Sequence, residues 1–149
     1  MPFTNGDFET GDLTGWTKGE YNAVVAVSAD AKRTGTYGCG ITVTTTDADD
    51  GAGSASQSIS TDFSTLMFDY KVAAFADPPS TAVWLGVTVS AHDESHSVQD
   101  VEVYAAQLTS AGDWATLSIT KAECEAAFPA GWHWIETGNT TVKVTCQVQ

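Results

Sequence analysis

The chain predicts an all-β fold: a two-sheet antiparallel β-sandwich of jelly-roll type, with about eight strands and one short helical candidate. Three observations carry this. Short runs of alternating apolar and polar residues recur along the chain, separated by turn-rich breaks. Val, Thr and aromatic residues are frequent, whereas helix formers such as Leu and Lys are scarce, a composition suited to pleated surfaces. The runs span most of the 149 residues, enough for a single module over 1–149 with a sizeable core.

The runs fall in order. Tyr21 to Ser28 reads as a first strand, Gly38 to Thr45 as a second and Ser54 to Ser60 as a third. Thr65 to Ala74, Thr81 to Ala91 and Val98 to Leu108 follow, then Trp114 to Thr120 and Thr140 to Val148. Lys121 to Phe128 is the helical candidate. The breaks are Asp47-Ala48-Asp49-Asp50-Gly51, Ala76-Asp77-Pro78-Pro79 and His92-Asp93-Glu94-Ser95-His96, each rich in turn formers.

Alternation also says which side chains leave the core. In Val83-Trp84-Leu85-Gly86-Val87-Thr88-Val89 the aliphatics share one face, and Trp84, Gly86 and Thr88 share the other. In Val101-Glu102-Val103-Tyr104-Ala105 the valines point one way, with Glu102 and Tyr104 expected on the opposite side. The His92–His96 turn joins the two strands, which makes them antiparallel neighbours. Trp84, Glu102 and Tyr104 are therefore expected on one surface, with Gly86 leaving room beside the indole. A ring next to a carboxylate suits a sugar: the ring stacks on the apolar C–H face, and the acceptor bonds hydroxyls. Trp132 and Trp134, in Gly131-Trp132-His133-Trp134, form a second candidate pair for the same chemistry. The competing reading is that these aromatics cover a sheet or pack under a loop.

Charge narrows the partners. Nineteen acidic residues against six basic ones give a net charge of -13. Nucleic acid and anionic membranes need a basic surface, so neither is expected as a partner. No apolar stretch is long enough to span a bilayer. Met1-Pro2-Phe3 carries no basic, apolar leader, so no signal peptide is read in this chain. Three cysteines, Cys39, Cys124 and Cys146, lack the C-x-x-C spacing of a zinc or redox site.

The opening segment, Asn5-Gly6-Asp7-Phe8-Glu9-Thr10-Gly11-Asp12-Leu13-Thr14-Gly15-Trp16, alternates glycines, acidic or amide groups and large apolar anchors. Later come Thr34-Gly35-Thr36-Tyr37-Gly38, then Ser56-Gln57-Ser58-Ile59, then Gly112-Asp113-Trp114 before a strand. This ordered set resembles the jelly-roll, galactose-binding-like modules that include many carbohydrate-binding modules, whose chains open on such a first strand and turn. The resemblance implies a β-sandwich that binds a polysaccharide or glycan without cutting it. It also implies a structural calcium on Glu9, with Asp7 contributing, completed by backbone oxygens before Gly35. Trp16 and Trp114 match structural positions. One departure stands out: the acidic pair often found on the closing strand is missing from Thr141 to Gln149.

Other chemistry finds little support. His92 and His96 flank a turn rather than sharing a helix face, and Asp47 to Ser58 lacks the twelfth-position Glu of an EF-hand. There is no G-x-S-x-G elbow and no phosphate loop. The expectation is a non-catalytic, extracellular or virion-associated module with Trp84 and Tyr104 stacking on sugar and Glu102 orienting it. The alternative is a structural or adhesion module, such as a virion decoration domain, that binds a protein partner or forms a homo-oligomer.

Overall fold

The computed structural model describes residues 3–44, 50–74 and 83–148. Among these residues nine strands and one α-helix are formed, besides a 3-10 turn at Ala29–Ala31: β1 (Thr17–Tyr21), β2 (Ala23–Ser28), β3 (Gly38–Val43), β4 (Gly51–Ser60), β5 (Thr65–Tyr70), β6 (Val83–His92), β7 (Val98–Leu108), β8 (Ala115–Thr120), α1 (Lys121–Ala127) and β9 (Asn139–Val148). β1, β4, β9, β6 and β7 make one antiparallel sheet in that order, while β2 pairs with β3 and β5 with β8.

The two strand pairs cover the inner face of the large sheet. On β4, Gly51, Gly53, Ala55, Gln57 and Ile59 are buried, and Ser54, Ser56 and Ser58 take the other face. A Cβ on Gly53 would stand 2.5 Å from the Ile41 Cγ2 and 3.2 Å from the Val25 Cγ2, so β2 and β3 pack directly on β4. At the other end Leu66 of β5 and Ile119 of β8 join Ile59, Phe63, Val87, Val89, Cys124 and Val142 in one core cluster. Helix α1 opens with a capping box, in which the Thr120 hydroxyl accepts from the Glu123 amide and Glu123 accepts from the Thr120 amide. The helix buries Cys124 completely.

Three expectations about elements are corrected. Tyr21 to Ser28 is not one strand. Asn22 is left-handed (φ 48°), its carbonyl accepts from Thr44 N and its side-chain amide donates to the Asp50 carbonyl. That corner sends 17–21 into the large sheet and 23–28 into the opposing layer. The opening segment is also not a strand and turn. It is a chain of turns, tied by Phe8 N to the Asn5 carbonyl, Gly11 N to the Phe8 carbonyl and Trp16 N to the Leu13 carbonyl. Trp16 holds it inward: the indole sits 5.3 Å from the Phe3 and Phe8 rings, and its Nε1 donates to the Asn5 carbonyl. Buried Gln57 staples it to β4, accepting from Thr4 N and donating to the Thr4 and Gly15 carbonyls. The fourth expected strand stops at Tyr70 rather than Ala74. The Asp47–Asp49 and Ala76–Pro79 breaks and residues 81 and 82 lie outside the described residues.

Candidate functional site

The outer face of the large sheet carries a depression of about 280 Å³ over β9, β6 and β7. Trp84, Gly86 and Thr88 line it from β6, Glu102 and Ala105 from β7, and Thr145 and Gln147 from β9. Strand register assembles this set. Trp84 lies between Gln147 and Gln107, Gly86 between Thr145 and Ala105, and Thr88 between Lys143 and Glu102. Leu85, Val87 and Val89, alternating with them, are buried in the core. The pleat alone therefore turns Trp84 outward. Gly86 makes the floor: a Cβ there would meet only the Tyr104 carbonyl at 3.8 Å and the Glu102 Oε2 at 4.0 Å. Thr145 and Gln147 had not been singled out. The polar alternation Thr141, Lys143, Thr145, Gln147 along the last strand is the signal that marks them.

Tyr104 does not join this surface. The β6–β7 register shifts between Val87 and Thr88, so that Thr88 pairs with Glu102 and Val87 with Tyr104, leaving Val103 as an extra residue. Such a bulge reverses the side-chain alternation of its strand. Glu102 stays on the outer face while Tyr104 is half-buried and packs against the core cluster. The expected grouping of Trp84, Glu102 and Tyr104 is corrected to Trp84 and Glu102.

Trp134 is also structural in its surroundings. Its ring meets Phe128 and Phe63 edge-on at centroid distances of 4.8 and 5.7 Å, and its Nε1 donates to Glu125 Oε1 at 2.7 Å. Trp132, half-buried, is outside the depression, and its amide donates to the Pro129 carbonyl. The segment that carries both is docked to the β6–β7 turn through paired backbone hydrogen bonds between His92 and His133. His92 is buried, not part of an exposed turn, and among the described residues no three His, Cys, Asp or Glu side chains gather to hold a metal ion.

One ion pair lies on the same strands just past the lining residues. Lys143 Nζ donates to Asp100 Oδ2 at 2.6 Å. Lys143 is the β9 partner of Thr88, and Asp100 is the β7 partner of Ser90. The lysine therefore reaches across β6 beside Thr88. The Thr88 Oγ1 is buried and has no hydrogen-bond partner among the described residues.

No family model matches the chain, and no curated protein does. Solved structures do. A structure on the promiscuous specificity of carbohydrate-binding modules from the β-sandwich superfamily superposes with a TM-score of 0.60 at 19% identity, over 95% of this chain and 54% of that one. The chain thus spans about half the length of that first match. TmCBM61, solved with β-1,4-galactotriose, gives 0.56 at 16% identity over 98% of this chain and 86% of its own. A CBM22-1 xylan-binding domain from Paenibacillus barcinonensis gives 0.52 at 18% identity, over 95% and 85%. The chain has the jelly-roll fold of the β-sandwich carbohydrate-binding modules.

The calcium that this fold suggests would rest on Glu9 and Asp7. The Glu9 carboxylate is already engaged: Oε1 accepts from Thr36 N at 2.8 Å and Tyr37 N at 2.9 Å, and Oε2 accepts from Thr36 N at 3.0 Å. Those amides, Tyr37 first, hold its carboxyl below the usual range. A Cβ on left-handed Gly35 would stand 2.5 Å from Oε1, so glycine is required there for both space and conformation. Among the described residues Asp7 Oδ1 accepts only from the Glu9 amide, at 3.4 Å. A carboxylate whose two oxygens already accept from backbone N–H groups fits an amide clamp.

Proposed function

We propose that this chain is a non-catalytic carbohydrate-binding module whose sugar site is the depression over β9, β6 and β7. The observation that carries the reading is the pairing of an outward Trp84 with a glycine floor and a carboxylate, Glu102, that has no partner among the described residues, in one concavity. The indole offers a flat apolar surface for a sugar ring. Glu102, Thr145 and Gln147 offer the acceptors and donors that hydroxyls require. Solved modules of the same fold bind xylan and β-1,4-galactotriose, which makes neutral β-linked glycans the first ligands to try.

Catalysis is not part of this reading. Glycoside hydrolysis uses two carboxylates flanking the bond. Glu102 is the only carboxylate among the lining residues, and nearby Asp100 is tied to Lys143. At Glu9 we propose the amide clamp, a purely structural role in fixing the opening loop to the start of β3.

The test is calorimetric titration with xylo- and β-1,4-galacto-oligosaccharides, followed by Trp84→Ala. Loss of an aromatic anchor costs about 2 kcal/mol or more, about thirty-fold in affinity. Binding that survives Trp84→Ala would remove the depression as the site. Failure of every neutral glycan on an array, together with self-association of the chain, would favour an assembly role for the same face.

A further inference from the structure

The lining of the depression ends at Thr88 and Glu102, in the row where Lys143 begins its reach to Asp100, and the geometry points to that pair as the element that sets how many sugar units the site accepts. This rests on the carbohydrate-binding reading above.

Lys143, Thr88 and Glu102 form one row across β9, β6 and β7, and Asp100 belongs to the next outward row, beside Ser90. All four lie on the outer face, since their chain neighbours Val142, Val101, Val87 and Val89 are buried in the core. To meet Asp100, Lys143 spans two strand spacings of about 4.8 Å each. Its side chain thus lies over β6 next to Thr88, as a strap across the sheet. The buried, unpartnered Thr88 Oγ1 is the second observation. A threonine hydroxyl on the outer face of a sheet ordinarily meets water or a partner. The lining residues advance along β6 from Trp84 to Thr88 and stop there.

Three successive outward positions on β6 cover about 13 Å at the strand rise. That accommodates two or three sugar rings laid along the strand, starting on Trp84 and ending against the strap. The next outward position on β6 is Ser90, in the row of Asp100; it is buried, and its side chain is already bonded to Thr141 N. Removing the lysine stem uncovers the Thr88 hydroxyl and adds the space of about one ring.

The experiment is titration of wild type, Lys143→Ala and Asp100→Ala with xylo- and β-1,4-galacto-oligosaccharides of two to six units. Wild-type affinity should level off at two or three units. Lys143→Ala should gain about three-fold or more on adding the next unit, and Asp100→Ala, which frees the lysine without removing it, should gain less. Wild-type affinity that keeps rising to six units, or a Lys143→Ala plateau at the same length, overturns the inference and leaves the binding reading intact. If no oligosaccharide binds wild type, the binding reading fails, and the strap is judged without a glycan. In that case the Thr88 side-chain NMR signals, exposed to a neutral paramagnetic co-solute, should relax faster in Lys143→Ala than in wild type. Equal relaxation in the two proteins would show that the lysine covers nothing.

Discussion

Glu102 and Tyr104 stand two positions apart on β7 and face opposite sides of the sheet, because the bulge at Val103 lies between them. One extra residue separates an outward group from a core group. Substitutions at the two positions should therefore fail in different ways. Glu102→Gln should keep the melting temperature and weaken glycan binding by about ten-fold, the scale of one charge-assisted hydrogen bond. Tyr104→Ala should lower stability by about 2 kcal/mol, as a half-buried aromatic lost from a core edge does, and leave affinity unchanged. Urea unfolding and calorimetry on the same preparations check both. A glycan affinity that tracked Tyr104 instead would place the ring back on the binding face.

Gly86 gives a second test of the depression. A Cβ there meets nothing closer than 3.8 Å, so the fold has room for a side chain. Gly86→Val also suits a strand. The variant should melt at or above the wild-type temperature while losing most glycan affinity, because its methyls fill the floor between Trp84 and Glu102. A drop in stability with affinity preserved would show that the floor is not where a ligand sits.

Much of this architecture is legible in the sequence, for identifiable reasons. The alternation around Val83–Val89 is strict, so the outward turn of Trp84, Gly86 and Thr88 follows from the pleat alone. The capping pattern at Thr120–Glu123 marks the start of the only α-helix among the described residues. Tyr104 is misplaced by the same logic: a bulge has no required residue here, and Val103 carries no glycine to announce it. The corner at Asn22 is hidden in the same way, since an apolar run continues from Tyr21 across it. The contribution of β9 depends on long-range pairing, Thr145 with Gly86 and Gln147 with Trp84, which alternation within one strand cannot specify.

Trp134 separates packing from recognition among the aromatics. Its ring meets Phe63 and Phe128 edge-on and packs against the core cluster. Trp134→Ala should cost about 3 kcal/mol, and Trp134→Phe about 1 kcal/mol for the lost bond to Glu125. Glycan affinity, measured well below the unfolding transition, should be unchanged in both. Reduced affinity in the well-folded Trp134→Phe protein would assign Trp134 a second, ligand-contacting role.

Glu9 links stability to pH and decides between a clamp and a metal ligand. The Tyr37 and Thr36 amides favour its ionised form, so its folded-state pKa is depressed. A depressed carboxylate contributes stability that is fully present above its unfolded pKa, about 4.3, and is lost as pH falls through the lower folded value. Glu9→Gln keeps one acceptor oxygen and removes the charge. The melting temperature of the variant should therefore lie furthest below wild type near neutrality, and the two curves should converge in acid below about pH 4. Because both carboxylate oxygens already face amides, EDTA followed by excess calcium should leave the wild-type melt where it was. A calcium-dependent rise that Glu9→Gln abolishes would replace the clamp with an ion site. A pH-independent gap between the two proteins would mean that the amides bond the carboxyl equally well in either protonation state, removing the charge-assisted clamp.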